Sequence, residues 1–118
     1  MTLVISELHL ESRPEFKDYA YKKSNKLFRY HPKITDIKVR LIVEKAHRSE
    51  DHDYYCELTV HVTGKILEIV DSERDMYKAI DKAVERMKRA LVKHHEKEIS
   101  KLHKQGVVGK FLRRLKRS

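Results

Sequence analysis

Asp75-Met76-Tyr77-Lys78-Ala79-Ile80-Asp81-Lys82-Ala83-Val84-Glu85-Arg86-Met87-Lys88-Arg89-Ala90-Leu91-Val92-Lys93 is the longest helical pattern in the chain, and it runs on to about His103. At about 100° per residue, Ile80, Val84, Met87 and Leu91 share one arc, with Met76, Tyr77 and Ala83 beside them. Lys78, Lys82, Arg86, Arg89 and Lys93 share the opposite arc, and the acids Asp81 and Glu85 stand to its side. The segment therefore has a face for a core and a continuous cationic ridge. Most solvated helix faces mix signs, so the ridge is a candidate binding surface, with a plain solvated face as its alternative.

Upstream of this helix the period changes to two. Tyr54 to Thr63 alternates, placing Tyr54, Cys56, Leu58, Val60 and Val62 inward and Tyr55, Glu57, Thr59 and His61 outward. Thr63-Gly64-Lys65 reads as a tight hairpin turn into a strand from Ile66 to Val70, and Asp71-Ser72 is placed to cap the long helix. Asp36 to Lys45 is another half-buried strand, with Ile37, Val39, Leu41 and Val43 on one side, and Ala46 to Asp53 is a polar connection. Ser12-Arg13-Pro14-Glu15 has the spacing of a capping box and starts a first helix, from about Arg13 to Tyr30, which His31-Pro32 ends. On this helix Phe16, Tyr19, Ala20, Lys23, Leu27 and Tyr30 share one side, and Lys22, Lys26 and Arg29 form a second cationic stripe on a flank. Thr2 to Ser6 is a short β-branched strand.

The order β-α-β-β-β-α predicts an α+β fold of two layers, a four-stranded mixed sheet with both helices on one face. The first β-α-β is expected to be a right-handed parallel crossover and the next two connections antiparallel hairpins. Gln105-Gly106-Val107-Val108-Gly109 is expected to break the second helix. This divides the chain into a domain over 1–105 and a basic tail over 106–118, with Lys110, Arg113, Arg114, Lys116 and Arg117 as further candidate binding residues.

Charge points to the partner. The net +9 comes from 27 bases and 18 acids, yet Met1 to Arg74 holds 13 of each, so the excess lies wholly from Asp75 onward, with 14 bases against 5 acids. That asymmetry favours a polyanion, either nucleic acid or an acidic membrane surface. The tail, with Phe111, Leu112 and Leu115 opposite its bases, is short for stable membrane anchoring. No apolar run approaches the roughly 18 residues of a membrane span, and no signal-peptide pattern opens the chain, so a cytoplasmic location is expected. The lone Cys56 fits a reducing compartment and, on the inward face of a strand, behaves as a small hydrophobe. His94 and Glu98 lie one turn apart, near His95 and His103, but two ligands make a poor metal site and no HExxH context is present. Three glycines form no phosphate loop. These features predict no enzyme, no cofactor and no metal.

Lys22-Lys23 with Leu27 and Tyr30, Val43-Glu44-Lys45, and above all Asp75-Met76-Tyr77-x-Ala79-Ile80-Asp81 continuing to Lys93-His94 resemble the ribosome hibernation promoting factor family. Its relatives include the ribosome-associated inhibitor and sigma-54 modulation proteins. The resemblance covers roughly Met1 to Lys101 and matches the short form, without the dimerising second domain of long members. It implies a protein that enters the small ribosomal subunit in the channel used by mRNA and the A- and P-site tRNAs and blocks translation in idle ribosomes, acting as a monomer there. It further implies rRNA contacts by Lys22, Lys23, Lys26 and Arg29 on the first helix and by Lys78, Lys82, Arg86, Arg89 and Lys93 on the second. Two departures stand out: the first strand is expected to turn at Glu7-Leu8-His9 where many members carry a Gly-Lys-Asn type turn, and Arg13 occupies the usual Thr position, leaving Ser12 as cap. The alternative reading is a general double-stranded RNA module, although such modules usually run αβββα. Tyr54 and Tyr55 could stack bases from the sheet, but strand tyrosines more often pack.

Overall fold

The computed structural model describes residues 2–8, 13–45 and 52–117, those after residue 102 as backbone. In chain order the elements are β1 (Thr2–Leu8), α1 (Pro14–Asn25) continued by a 3-10 turn (Lys26–Tyr30), β2 (Ile34–Lys45), β3 (His52–Val62), β4 (Lys65–Glu73) and α2 (Met76–Arg117). The sheet order is β1-β2-β3-β4, with β1 parallel to β2 and the other two pairs antiparallel. This is the expected mixed sheet with both helices on one face.

The core lies between the sheet and α2, with α1 closing one side. Alternation in β2 and β3 turns Ile37, Val39 and Leu41 and then Cys56, Leu58 and Val60 inward, all buried. Onto them α2 lays Met76, Ala79, Ile80, Ala83, Met87 and Leu91, and α1 with its 3-10 turn adds Phe16, Ala20 and Leu27. Fully burying a side chain of Leu or Met size stabilises by about 1.5–3 kcal/mol, so the two central strands and α2 carry most of the fold. Val84, expected inside, is only partly buried, and Tyr77 is exposed at the edge of the helix pair.

Several boundaries move, each because backbone pairing outweighs a local signal. Glu7 and Leu8 extend β1 opposite Leu41 and Ile42 instead of turning, since the ladder satisfies their amides and carbonyls. Ser12, His9 and residues 46–51 of the expected polar connection lie outside the described residues. Arg13 is the residue before α1, with no side-chain cap, and its carbonyl accepts from the Phe16 amide at 3.1 Å. The first helix tightens after Asn25 because Pro32 bars its continuation, and shorter-range bonds take up its last carbonyls. Asp71 and Ser72 do not cap α2: they pair with Cys56 and Tyr55 inside β4. Asp75 takes that role, its carboxylate accepting from the Tyr77 amide at 3.3 Å and its carbonyl from the Ala79 amide at 3.0 Å.

The expected break at Gln105–Gly109 is absent, and α2 is one helix to Arg117. Each glycine costs a helix only about 1 kcal/mol relative to alanine, and no proline follows to stop it. Gly64, by contrast, is required where it stands. Its φ of +85° completes the β3–β4 hairpin, and a Cβ there would meet nothing within 4 Å. Gly64→Ala is therefore expected to destabilise by about 1 kcal/mol through backbone conformation alone, with Gly64→Asn milder, as chemical denaturation would measure.

Candidate nucleic-acid interface

All five ridge residues of α2 are exposed, and the fold sorts them into three kinds. Lys78 and Lys93 have no acidic partner among the described residues. Lys82 Nζ lies 3.5 Å from Glu73, and Arg89 Nε lies 3.5 Å from Glu85 one turn earlier on α2. Exposed pairs of this kind contribute under about 1 kcal/mol and exchange readily for a phosphate. Arg86 differs. Its Nη1 donates at 2.6 Å to Oδ1 of Asp71, a carboxylate only 6% exposed on the inner face of β4. The side chain that the sequence places in the ridge thus also neutralises a buried charge.

The α1 stripe lies beside this ridge. Lys22, Lys26 and Arg29 are exposed without acidic partners among the described residues, while Lys23 is half-buried with Nζ 3.9 Å from Asp81. Between the two cationic sets runs a seam that fixes the helices against each other. Tyr19 Oη donates to Asp81 at 2.6 Å, and this bond, followed by burial, pushes the Tyr19 hydroxyl up to about 12. Tyr19 also packs edge-on to Tyr77 at 4.9 Å. Further along, Lys88 Nζ sits 5.2 Å from the centre of the Tyr30 ring. Lys88 was absent from the sequence-derived set because the helical wheel puts it on the flank; only the neighbouring helix makes that flank part of the same surface. Asp81, which looks like an acid diluting the ridge, serves to join the helices. The tail residues Lys110, Arg113, Arg114, Lys116 and Arg117 continue the helix as backbone.

The groups that could argue for chemistry are occupied otherwise. Cys56 is buried, and burial first, then Asp71 and Glu57, pushes its thiol up to about 12, so it stays protonated and unreactive near neutrality. Tyr54 faces inward and meets Phe16 edge-on at 6.4 Å, and Tyr55 is half-buried on the open sheet face. The fold adds one residue that sequence spacing could not: His31 comes to His94 and Glu98, their ligand-type atoms all within 4.8 Å. Donor polarity decides what this cluster is. His31 Nδ1 accepts the Lys33 amide at 3.1 Å, so the neutral ring carries its proton on Nε2, facing His94 Nδ1 at 3.0 Å and Glu98 Oε2 at 3.4 Å. A metal would need a lone pair at Nε2 and would leave Nδ1 as a donor facing another donor, the reverse of the usual second hydrogen bond of a ligating histidine. The cluster is a hydrogen-bonded clamp between the corner before β2 and α2.

That clamp predicts a pH dependence. Burial first lowers the His31 pKa, opposed by Glu98 and helped by His94, His95 and Lys33. A folded value below the unfolded value means that the clamp contributes fully above the ordinary histidine value of about 6.5. It is lost as the pH falls through that value toward the lower folded one. Thermal melts should show wild-type stability dropping on acidification below neutrality and a shallower drop in His31→Gln; parallel slopes would remove His31 as the cause.

Residues 3–99 match the family model described as Sigma 54 modulation protein / S30EA ribosomal protein. The chain is 33% identical over 101 residues to a ribosome hibernation promoting factor of Azotobacter vinelandii, covering 86% of this chain and 89% of that one. It is 31% identical over 97 residues to that of Escherichia coli K12, covering 82% and 96%. Among solved structures, the Thermus thermophilus Protein Y N-terminal domain superposes with a TM-score of 0.67 at 25% identity, covering 80% of this chain and 99% of that one.

Proposed function

This chain belongs to the Sigma 54 modulation protein / S30EA ribosomal protein family, and from that premise we propose that it is a ribosome hibernation factor acting in the cytoplasm on the small ribosomal subunit. Membership also fits a binding protein rather than an enzyme. The observation that carries the reading is the set of exposed cations on the two helices, Lys22, Lys26 and Arg29 on α1 and its 3-10 turn and Lys78 and Lys93 on α2, with no acidic partners among the described residues. Lys82 and Arg89 join them at little cost by exchanging weak surface pairs for phosphates. Each phosphate neutralised releases counterions, so about seven to ten contacts give tight, salt-sensitive binding.

Such contacts read backbone and shape, which suits folded rRNA and needs no sequence code. The sheet, with α1 and α2 held by the Tyr19–Asp81 bond, presents the cations on a stiff frame. A stiff domain seated in the channel for mRNA and the A- and P-site tRNAs excludes them sterically, and inhibition follows from occupancy. No bond is made or broken. Co-sedimentation of the purified protein with small subunits, against free tRNA and duplex RNA, tests the proposal. Binding to subunits should be tight and should fall when mRNA and initiator tRNA are added. Equal binding to duplex RNA would favour a general RNA module instead.

A further inference from the structure

At one end of the molecule the starts of the two helices and the end of β4 line an open, solvent-facing cavity of about 520 Å³ that the ridge argument leaves unused. Phe16, Tyr54 and Tyr77 line it, and Arg13 and Arg74 stand at its edge. Pockets of about 300–1,000 Å³ are the size that takes small organic ligands. The aromatic groups are held in place by one another: Phe16 meets Tyr77 at 5.2 Å and Tyr54 at 6.4 Å, both edge-on. Phe16 is only 7% exposed and backs the wall, so the half-buried Tyr54 and the exposed Tyr77 supply the ring surface open to a ligand. Neither arginine has an acidic partner among the described residues, and the Arg13 guanidinium lies over the Phe16 ring, 5.5 Å from its centre. Of the two acids at the cavity, Asp75 is already engaged as the cap of α2, which leaves Glu15 as an acceptor. Lys78, the first residue of the ridge, stands in the first turn of α2, so an RNA strand lying on the ridge would pass this opening.

We propose that this cavity receives a single nucleotide turned out of the RNA bound on the ridge, its base against the aromatic wall and its phosphate between Arg13 and Arg74. Structured RNA is recognised most specifically through such unstacked bases, which lie on aromatic rings or guanidinium planes. The inference deepens the ribosome reading and rests on it. It adds a point of fixed register to a surface otherwise made of interchangeable phosphate contacts. The outward face of the sheet, by comparison, mixes Val4, Ile66 and Val70 with the Arg40–Glu57 pair and offers nothing that selects an occupant.

The test uses the full chain and two measurements. In the first, adenosine 5′-monophosphate is titrated against the labelled protein, and backbone amide shifts are expected at Glu15, Phe16 and Lys78, abolished by Arg74→Ala. In the second, small-subunit affinity is compared between Arg13→Ala/Arg74→Ala and a control with the same charge loss elsewhere, Lys38→Ala/Lys65→Ala. The cavity pair should lose about tenfold more affinity than the control. Tyr54→Leu, which keeps apolar volume, should lose affinity with little change in salt dependence; if it fails to fold, the exposed arginine pair decides. Absent nucleotide shifts, or a cavity pair that binds like its control, would overturn the inference while wild-type subunit binding leaves the broader reading intact. A wild type that does not bind subunits would overturn both.

Discussion

Arg86→Glu is expected to destabilise the protein by about 2–4 kcal/mol, roughly a 10 °C fall in melting temperature, although Arg86 is 53% exposed and lies in the middle of a cationic ridge. Asp71 explains why. Its carboxylate is almost wholly buried, one oxygen accepts from Arg86 at 2.6 Å, and the other has no partner among the described residues. Removing the guanidinium leaves a buried charge uncompensated, and a carboxylate in its place adds repulsion. Solvent around the arginine screens part of the loss, which is why the estimate sits below the largest values known for broken buried pairs. Lys78→Glu, about two turns away on the same ridge, should stay within about 0.5 kcal/mol of wild type. Asp71→Asn combined with Arg86→Gln should recover part of the loss, because the buried charge leaves with its partner. Denaturant titration of the four proteins checks the pattern; an Arg86→Glu protein as stable as wild type would return Arg86 to the free ridge cations.

This result would correct an inference that the sequence invites. On a helical wheel Arg86 is equivalent to Lys82 and Arg89, since the wheel records which residues face away from the helix's own core stripe. It does not record what lies across the neighbouring strand. Asp71 looks like a cap for α2 because an acid shortly before a helix normally is one. Only the register of β4 on β3, with Asp71 opposite Cys56, turns its side chain inward and under α2. The strands and their faces were legible because alternation in Ile37–Val43 and Tyr54–Val62 is a local property with one dominant cause, burial of one face. The motif from Asp75 to Asp81 was legible as a family signature, and the structure supplies its physical content: Asp75 caps, Met76, Ala79 and Ile80 are buried, Tyr77 closes the aromatic seam, and Asp81 bonds Tyr19.

What escaped the sequence joins residues far apart in the chain. His31 and His94 are separated by 63 positions, as different as two histidines can be in local context, yet they share a hydrogen bond. The spacing of His94 and Glu98 offers two ligands, too few for a metal site, and the fold adds His31 as a third only to fill its donor position with a proton. The Arg13–Arg74 cavity depends likewise on the two helix starts meeting beside β3. In each case the missing information is tertiary adjacency, which no periodicity carries.

The free cations give the largest expected effect on binding. Reversing Lys22, Lys26, Lys78 and Lys93 to glutamate removes four phosphate partners and adds four repulsions without breaking any ion pair among the described residues. Small-subunit affinity at moderate salt should therefore fall by at least about a thousandfold, and the slope of log affinity against log salt should become shallower by about three to four. Melting should stay close to wild type, since all four side chains are exposed and none caps a helix. The order of single reversals carries the sharper test. Lys78→Glu and Lys93→Glu should each cost more affinity than Lys82→Glu, because Lys82 is already shared with Glu73 and part of its charge is answered within the protein. In a cell-free system the wild type should block translation and the fourfold variant should not. A folded fourfold variant that still co-sediments with small subunits at wild-type affinity would make both stripes solvated faces, and the interface would have to be sought on the open side of the sheet.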